Sequence, residues 1–125
     1  MYTPENFTED DPDRISELLA GYGFGLVVTV DAEGSPFASH LPLLHDPGSG
    51  RWGTILGHMA RANPQWGQFS PGRDVLAVFS GPHAYVSSSW YGTHPAVPTW
   101  NYAAVHVYGR PRIIDDPAGV RAVVQ

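Results

Sequence analysis

Apolar residues run almost without a break from Phe24 to Val30 (FGLVVTV) and resume, interrupted by Ser39 and His40, from Pro36 to Leu44. A short run rich in β-branched residues reads as a buried strand. The second stretch is its return, with Asp31 to Gly34 as the turn, so the two predict a hairpin. Asp46 to Gly50 (DPGSG) marks another turn, and Trp52 to Met59 reads as a third strand that ends at Gly57 and His58. Asp74 to Ser80 is a further buried strand, followed by a turn at Gly81-Pro82. Ala84 to Ser87 and Thr99 to Tyr108 supply the last two, the latter continuing through Arg110 to Ile114. About six closely spaced strands with little helix predict a mainly β fold, a small barrel with short flanking helices.

The helical signals are brief. Met1 to Thr8 is an extended lead-in, and Asp11-Pro12 then sets a carboxylate at the N-cap and proline at the first helical position. Ile15, Leu18 and Leu19 form one apolar face, and Gly21 ends the helix. Asn63-Pro64 opens a second short helix that should turn Trp66 and Phe69 inward before Pro71-Gly72 stops it. Asp116-Pro117 repeats the start signal just before Gln125.

Composition narrows the class. A chain of 125 residues with 42% apolar and 12% aromatic residues can fill one core as one domain. Only 15% of residues are charged, while 14 glycines and 12 prolines favour a turn-rich β protein over a helical bundle. The net charge of −5 has no lysine in it, and five acids (Glu5, Glu9, Asp10, Asp11, Asp13) precede Arg14. Neutralising roughly 6 to 10 phosphates of a DNA duplex takes a matching number of converging cations. The 7 arginines are dispersed from Arg14 to Arg121, which argues against tight duplex binding by one copy, although a dimer doubles the count. Absent cysteine removes disulfides, thiolate metal sites and a cysteine nucleophile. The first 25 residues lack the basic start and apolar core of a signal peptide, and no apolar run approaches a membrane span, so a cytoplasmic protein is expected.

Chemistry concentrates between Gly81 and Gly109, a stretch without a charged residue that carries Trp90, Tyr91, Trp100, Asn101, Tyr102, three histidines and the run Ser87 to Ser89. Such a mixture suits either a pair of aromatic strands closing a core or a wall for a flat, polar, aromatic ligand. Alternation along Thr99 to Tyr108 sets Tyr102, Ala104, His106 and Tyr108 on one face and Ala103, Val105 and Val107 on the other. The second set reads as core; the first, too polar for a dry core, reads as interface or ligand wall. Upstream, GHMARANPQW places His58, Arg61 and Asn63 between a strand and a helix start. Arginine grips phosphate bidentately and helix-start amides favour anions, so this junction is a candidate phosphate clamp. It is equally a surface arginine beside a capped turn. In SHLPL, Ser39 and His40 lie mid-strand and Pro42 belongs at a sheet edge or bulge, where an edge strand offers backbone groups to a ligand. A buried, backbone-bonded His40 fits the same pattern. Six histidines without paired metal spacing give metal little support, and no glycine-rich nucleotide loop is present.

The order GPHAYVS, SWY and VPTWNYAAVHVYG, preceded by MYTPENF, SHLPL and GHMARANPQW, resembles the PaiB-like proteins, described as FMN-binding negative transcriptional regulators. The resemblance runs in register over nearly the whole chain. It implies a split β-barrel of the FMN-binding type, related to pyridoxamine-phosphate-oxidase flavoproteins, with FMN near the interface of a homodimer. It also implies a single domain over residues 1–125 that lacks the family's C-terminal segment. Related oxidases carry a basic, hydroxyl-bearing segment followed by Asn-Pro where GHMARANP stands here. By resemblance, then, His58, Arg61 and Asn63 meet the FMN phosphate, Ser39, His40 and Leu41 line the isoalloxazine, and Trp100, Asn101 and Tyr102 approach the flavin. The regulator reading, with promoter DNA as partner, rests on the resemblance alone. A flavin-dependent oxidoreductase, in which the flavin carries the redox chemistry, is the alternative. A barrel binding another planar ligand is a third, and haem also stays open.

Overall fold

The structure is a computed structural model that describes residues 1–124. Five antiparallel strands, β1 (Phe24–Val30), β2 (Pro36–Asp46), β3 (Thr54–Gly57), β4 (Val75–Val86) and β5 (Thr99–Gly109), form one sheet in the order β3-β2-β1-β4-β5. Two helices, α1 (Pro12–Gly21) and α2 (Pro117–Val124), flank it, together with three short 3₁₀ turns. The fold is mainly β and split-barrel-like, and its sheet is not closed.

The count is five strands rather than six because Gly81-Pro82 is not a turn. Both residues lie inside β4, where the pairing with β5 shifts register between Ser80 and His83. Pro82 has no N–H to give the ladder, and a β-bulge absorbs it without ending the strand. Gly81 is buried there, and a Cβ on it would lie 3.1 Å from the Ala103 carbonyl oxygen and 3.2 Å from Leu18. β3 is shorter than the apolar pattern predicts, since Trp52 and Gly53 stay outside it. β5 stops at Gly109 rather than running to Ile114, because Pro111 cannot continue the pairing.

Alternation decides the two faces of the sheet. Val27, Leu43, Ala77 and Phe79 point to one side with Leu41, Ile55, Val105 and Val107, and α1 lays Ile15, Leu18 and Leu19 across them. The α1 cap is as the sequence predicts: Asp11 Oδ1 accepts from Asp13 N at 3.0 Å, with Pro12 at the first helical position. Just before it, the amide of Asp11 and the guanidinium of Arg14 hold the Glu9 carboxyl below the usual carboxylate range.

The opposite face carries Leu26, Val28, Leu76, Val78, Ala104 and His106, all half-buried. Phe24, Leu44 and Tyr108 lie exposed around them, Phe24 at 72%. The registers align His40, Leu26, Val78 and His106 as one row across four strands. This face is apolar at its centre with histidines at both ends, as the alternation in β5 anticipates.

The turn after Asn63 (Pro64–Gln68) corrects the inward assignment of Trp66. Trp66 is 40% exposed, and Gln65 takes the fully buried position at 0%. A five-residue 3₁₀ turn has no 3.6-residue face, so helical spacing names the wrong residue.

Candidate functional site

β2 changes partner along its length. Pro36 to Pro42 pair with β1, and Leu43 to Asp46 pair with β3. Pro42 therefore sits at the switch, where β3 has not yet begun and a missing N–H costs no ladder bond. Ser39, His40 and Leu41 lie just before it, beside a strand edge that β3 leaves uncovered. His40 is exposed on the outer face and stacks on Phe24, with ring centroids 5.6 Å apart. Leu41 points the other way and packs on the core, so only its backbone faces that edge.

The segment after β3 folds back over β2. Asn63 N donates to the Ala60 carbonyl at 2.8 Å, which makes Arg61 and Ala62 the middle of a turn. Asn63 Nδ2 donates to Ser39 Oγ at 2.9 Å, bringing two of the candidate residues together over 24 positions of sequence. Asn63 Oδ1 accepts from Gln65 N at 3.0 Å, as the predicted cap requires. Trp66 Nε1 donates to the Arg61 carbonyl at 2.9 Å, which ties the turn from its other side. The Arg61 side chain is exposed and makes no ion pair among the described residues. His58 is exposed one residue beyond β3.

One element of the expected anion site is absent. The 3₁₀ turn is too short to carry a useful dipole, and its first free amide is already taken by the Asn63 side chain. The permanent positive charge at this junction is therefore that of Arg61, with no helix dipole to add to it.

The remaining candidates sit elsewhere. Trp100, Asn101 and Tyr102 begin β5, which is separated from β2 by both β1 and β4. Beyond the bulge, β4 and β5 pair only with each other and form a two-stranded arm. His83 opposes Tyr102 and Tyr85 opposes Trp100, so four aromatic rings share one face of that arm while Asn101 takes the other. Trp100 Nε1 donates to His83 Nδ1 at 3.2 Å with the rings stacked at 5.7 Å, and Tyr85 lies 6.1 Å from Trp100. That bond leaves the His83 proton on Nε2. Trp100 and Tyr102 remain 56% and 61% exposed. Trp90 and Tyr91 are exposed beyond the end of the arm.

Sequence reasoning assigns neither His83 nor Tyr85 to the site. Their partnership with Trp100 depends on the register shift at Gly81-Pro82, which a reading that ends the strand there cannot see. Gln65 was missed for a different reason, a short turn read as a helix around a residue type that is seldom buried.

His106 has its Nδ1 buried without a hydrogen-bond partner, and burial first, then the nearby N-terminal amine, pulls its pKa below the ordinary 6.5. Among the described residues no three His, Cys, Asp or Glu side chains are grouped to hold a metal ion, and no helix is long and apolar enough to cross a membrane.

An open five-stranded antiparallel sheet with a small helix over one face is a mainly β, split-barrel-like fold. The chain belongs to the family described as "Putative FMN-binding domain", whose model matches residues 1–125. It is 44% identical over 115 residues to the protease synthase and sporulation protein PAI 2 of Bacillus subtilis, covering 92% of this chain and 54% of that protein. The uncharacterized protein AN0679 of Emericella nidulans is 39% identical over 147 residues, covering 93% of this chain and 58% of its own length. The uncharacterized protein YKL070W of Saccharomyces cerevisiae is 39% identical over 83 residues, covering 63% and 49% respectively. The chain spans about half the length of these relatives.

Proposed function

We propose that this domain binds FMN as a homodimer in the cytoplasm and serves a PaiB-like regulator of transcription. The observation that carries the reading is Arg61. It is an exposed guanidinium without an ion pair among the described residues, on a turn tied to Ser39, in a chain of the FMN-binding family. The phosphate belongs at Arg61 and His58, with Ser39 and Asn63 beside them. The flavin ring lies along Ser39 to Leu41, and the uncharged aromatic arm at Trp100, Asn101 and Tyr102 supplies a second wall. No step of chemistry at these residues is needed for binding, and bound FMN would supply redox capacity if the domain were also an oxidoreductase.

Two features support a dimer. The outer sheet face leaves Phe24, Leu44 and Tyr108 in solvent around an apolar centre, a surface of the kind that marks association. The β2 edge and the arm are also held apart in one protomer by two intervening strands, so a second copy is what can complete the wall. Purified protein is expected to show twice the protomer mass by light scattering at micromolar concentration and a flavin absorbance spectrum once loaded with FMN. A monomer with no flavin uptake would remove the reading, and a haem spectrum would replace it.

The regulatory output is not direct duplex binding by these residues alone. Arg14 is paired with Glu9, and Arg110 lies 3.7 Å from Asp74, so the dispersed cations are partly neutralised within the fold. Specific DNA binders reach dissociation constants of about 10⁻⁸ to 10⁻¹¹ M at physiological salt. Titration of fluorescent promoter fragments with the 125-residue chain is expected to show no such affinity. Nanomolar, sequence-selective binding would establish direct repression instead.

A further inference from the structure

The most deeply buried polar side chain lies outside every residue assigned above. Gln65 is 0% exposed, and its Nε2 faces three acceptors: the Val27 carbonyl at 2.9 Å, Thr29 Oγ1 at 3.1 Å and the Phe37 carbonyl at 3.3 Å. Thr29 Oγ1 in turn donates to Gln68 Oε1, in the same turn. The amide orientation is set by this environment, because the reversed amide would press its oxygen against two carbonyls. A buried amide that reaches backbone on both β1 and β2 fixes its own backbone relative to both strands. From that fixed point the bonds run outward: Gln65 N to Asn63 Oδ1, Asn63 Nδ2 to Ser39 Oγ, and Trp66 Nε1 to the Arg61 carbonyl.

We propose that Gln65 is the positioning residue of the phosphate clamp: it pins the turn to β1 and β2 and thereby sets where the Arg61 guanidinium stands relative to Ser39. The inference rests on the reading that Arg61 meets the FMN phosphate. Nothing in the turn except the Gln65 and Gln68 side chains bonds to β1 in this network. Arg61 itself has no side-chain bond to hold it, so its placement depends on its backbone. An anion site made of one exposed arginine gains selectivity only if that backbone is fixed.

The test measures FMN and riboflavin binding by flavin fluorescence for the wild type, Gln65→Met, Arg61→Ala and the double variant. Methionine keeps the length and fills the space without the amide. Gln65→Met is expected to weaken FMN about tenfold, the scale of one to two lost hydrogen bonds. Riboflavin, which has no phosphate, is expected to change less than about twofold, since the effect passes through a group that touches only phosphate. The double variant is expected to bind FMN no more weakly than Arg61→Ala alone, because two residues acting through one contact do not add. Equal losses for both flavins would reduce Gln65 to a purely structural role and overturn the proposal, as would fully multiplied losses in the double variant. If Gln65→Met does not fold, Thr29→Val removes one of the three acceptors, and the same phosphate-selective loss, smaller in size, is expected. No selective loss in Thr29→Val then overturns it. An Arg61→Ala variant that binds FMN as the wild type does would sink the underlying clamp reading instead.

Discussion

Arg61→Ala is expected to weaken FMN by roughly 10- to 150-fold, the effect of losing a charge-assisted bond worth about 1.5 to 3 kcal/mol. The guanidinium is the single cation of the turn that Asn63 ties to Ser39, and no carboxylate competes for it among the described residues. Its loss should therefore appear in full in the affinity rather than being offset by a released partner. Riboflavin is expected to bind the wild type and Arg61→Ala about equally. Arg61→Lys should restore part of the affinity, because an ammonium keeps the charge but not the planar fork that meets two phosphate oxygens together. Fluorescence titrations of the three proteins with both flavins decide the matter. Unchanged FMN affinity in Arg61→Ala would move the phosphate to another part of the domain.

Phe79→Ala is expected to cost about 3 to 5 kcal/mol of folding stability, the range for emptying a buried aromatic site. Phe79 is 0% exposed and belongs to the core under α1 with Leu19, Val27, Leu43 and Ala77. That core is small, so few neighbours can move in to refill the space. Urea unfolding followed by tryptophan fluorescence measures the change, and a loss below about 1 kcal/mol would mean the sheet and helix close over the gap. The same substitution should leave flavin selectivity alone, since Phe79 faces away from the outer side of the sheet.

Much of this arrangement is legible in the chain because local chemistry and tertiary placement agree. The β1–β2 hairpin, the Asp11-Pro12 start of α1 and the Asn63 cap follow from residue types whose backbone preferences act over two to four positions. The core face of β5 follows from simple alternation. Alternation fails where the strand itself is irregular. Gly81-Pro82 carries every local mark of a turn, yet pairing with β5 on both sides carries β4 through it. Local signals cannot weigh the partners at Ala104 and Tyr102, far along the chain, and those partners decide the outcome. The same limit hid His83 and Tyr85, whose role as neighbours of Trp100 exists only in the shifted register. Gln65 was hidden differently: a glutamine at full burial runs against residue averages, and only its three acceptors explain it. Of the candidate site, Ser39 and Asn63 are singled out separately in the sequence and only the fold brings them into contact, while the Leu41 side chain packs on the core and leaves its backbone at the edge.

The bulge at Gly81-Pro82 also divides one strand into two thermal regimes. Below it, Leu76 to Val78 are bonded on both sides, to β1 and to β5; above it, His83 to Val86 are bonded to β5 alone. Amides held by one partner and exposed to water open without waiting for the core, whereas doubly paired ones open only with it. Hydrogen–deuterium exchange protection should therefore fall along a continuous strand between Val78 and His83, with Ala84 and Val86 exchanging far sooner than Ala77 and Val78. An arm that opens independently of the core can fit itself to whatever lies against its aromatic face while the rest of the domain stays folded.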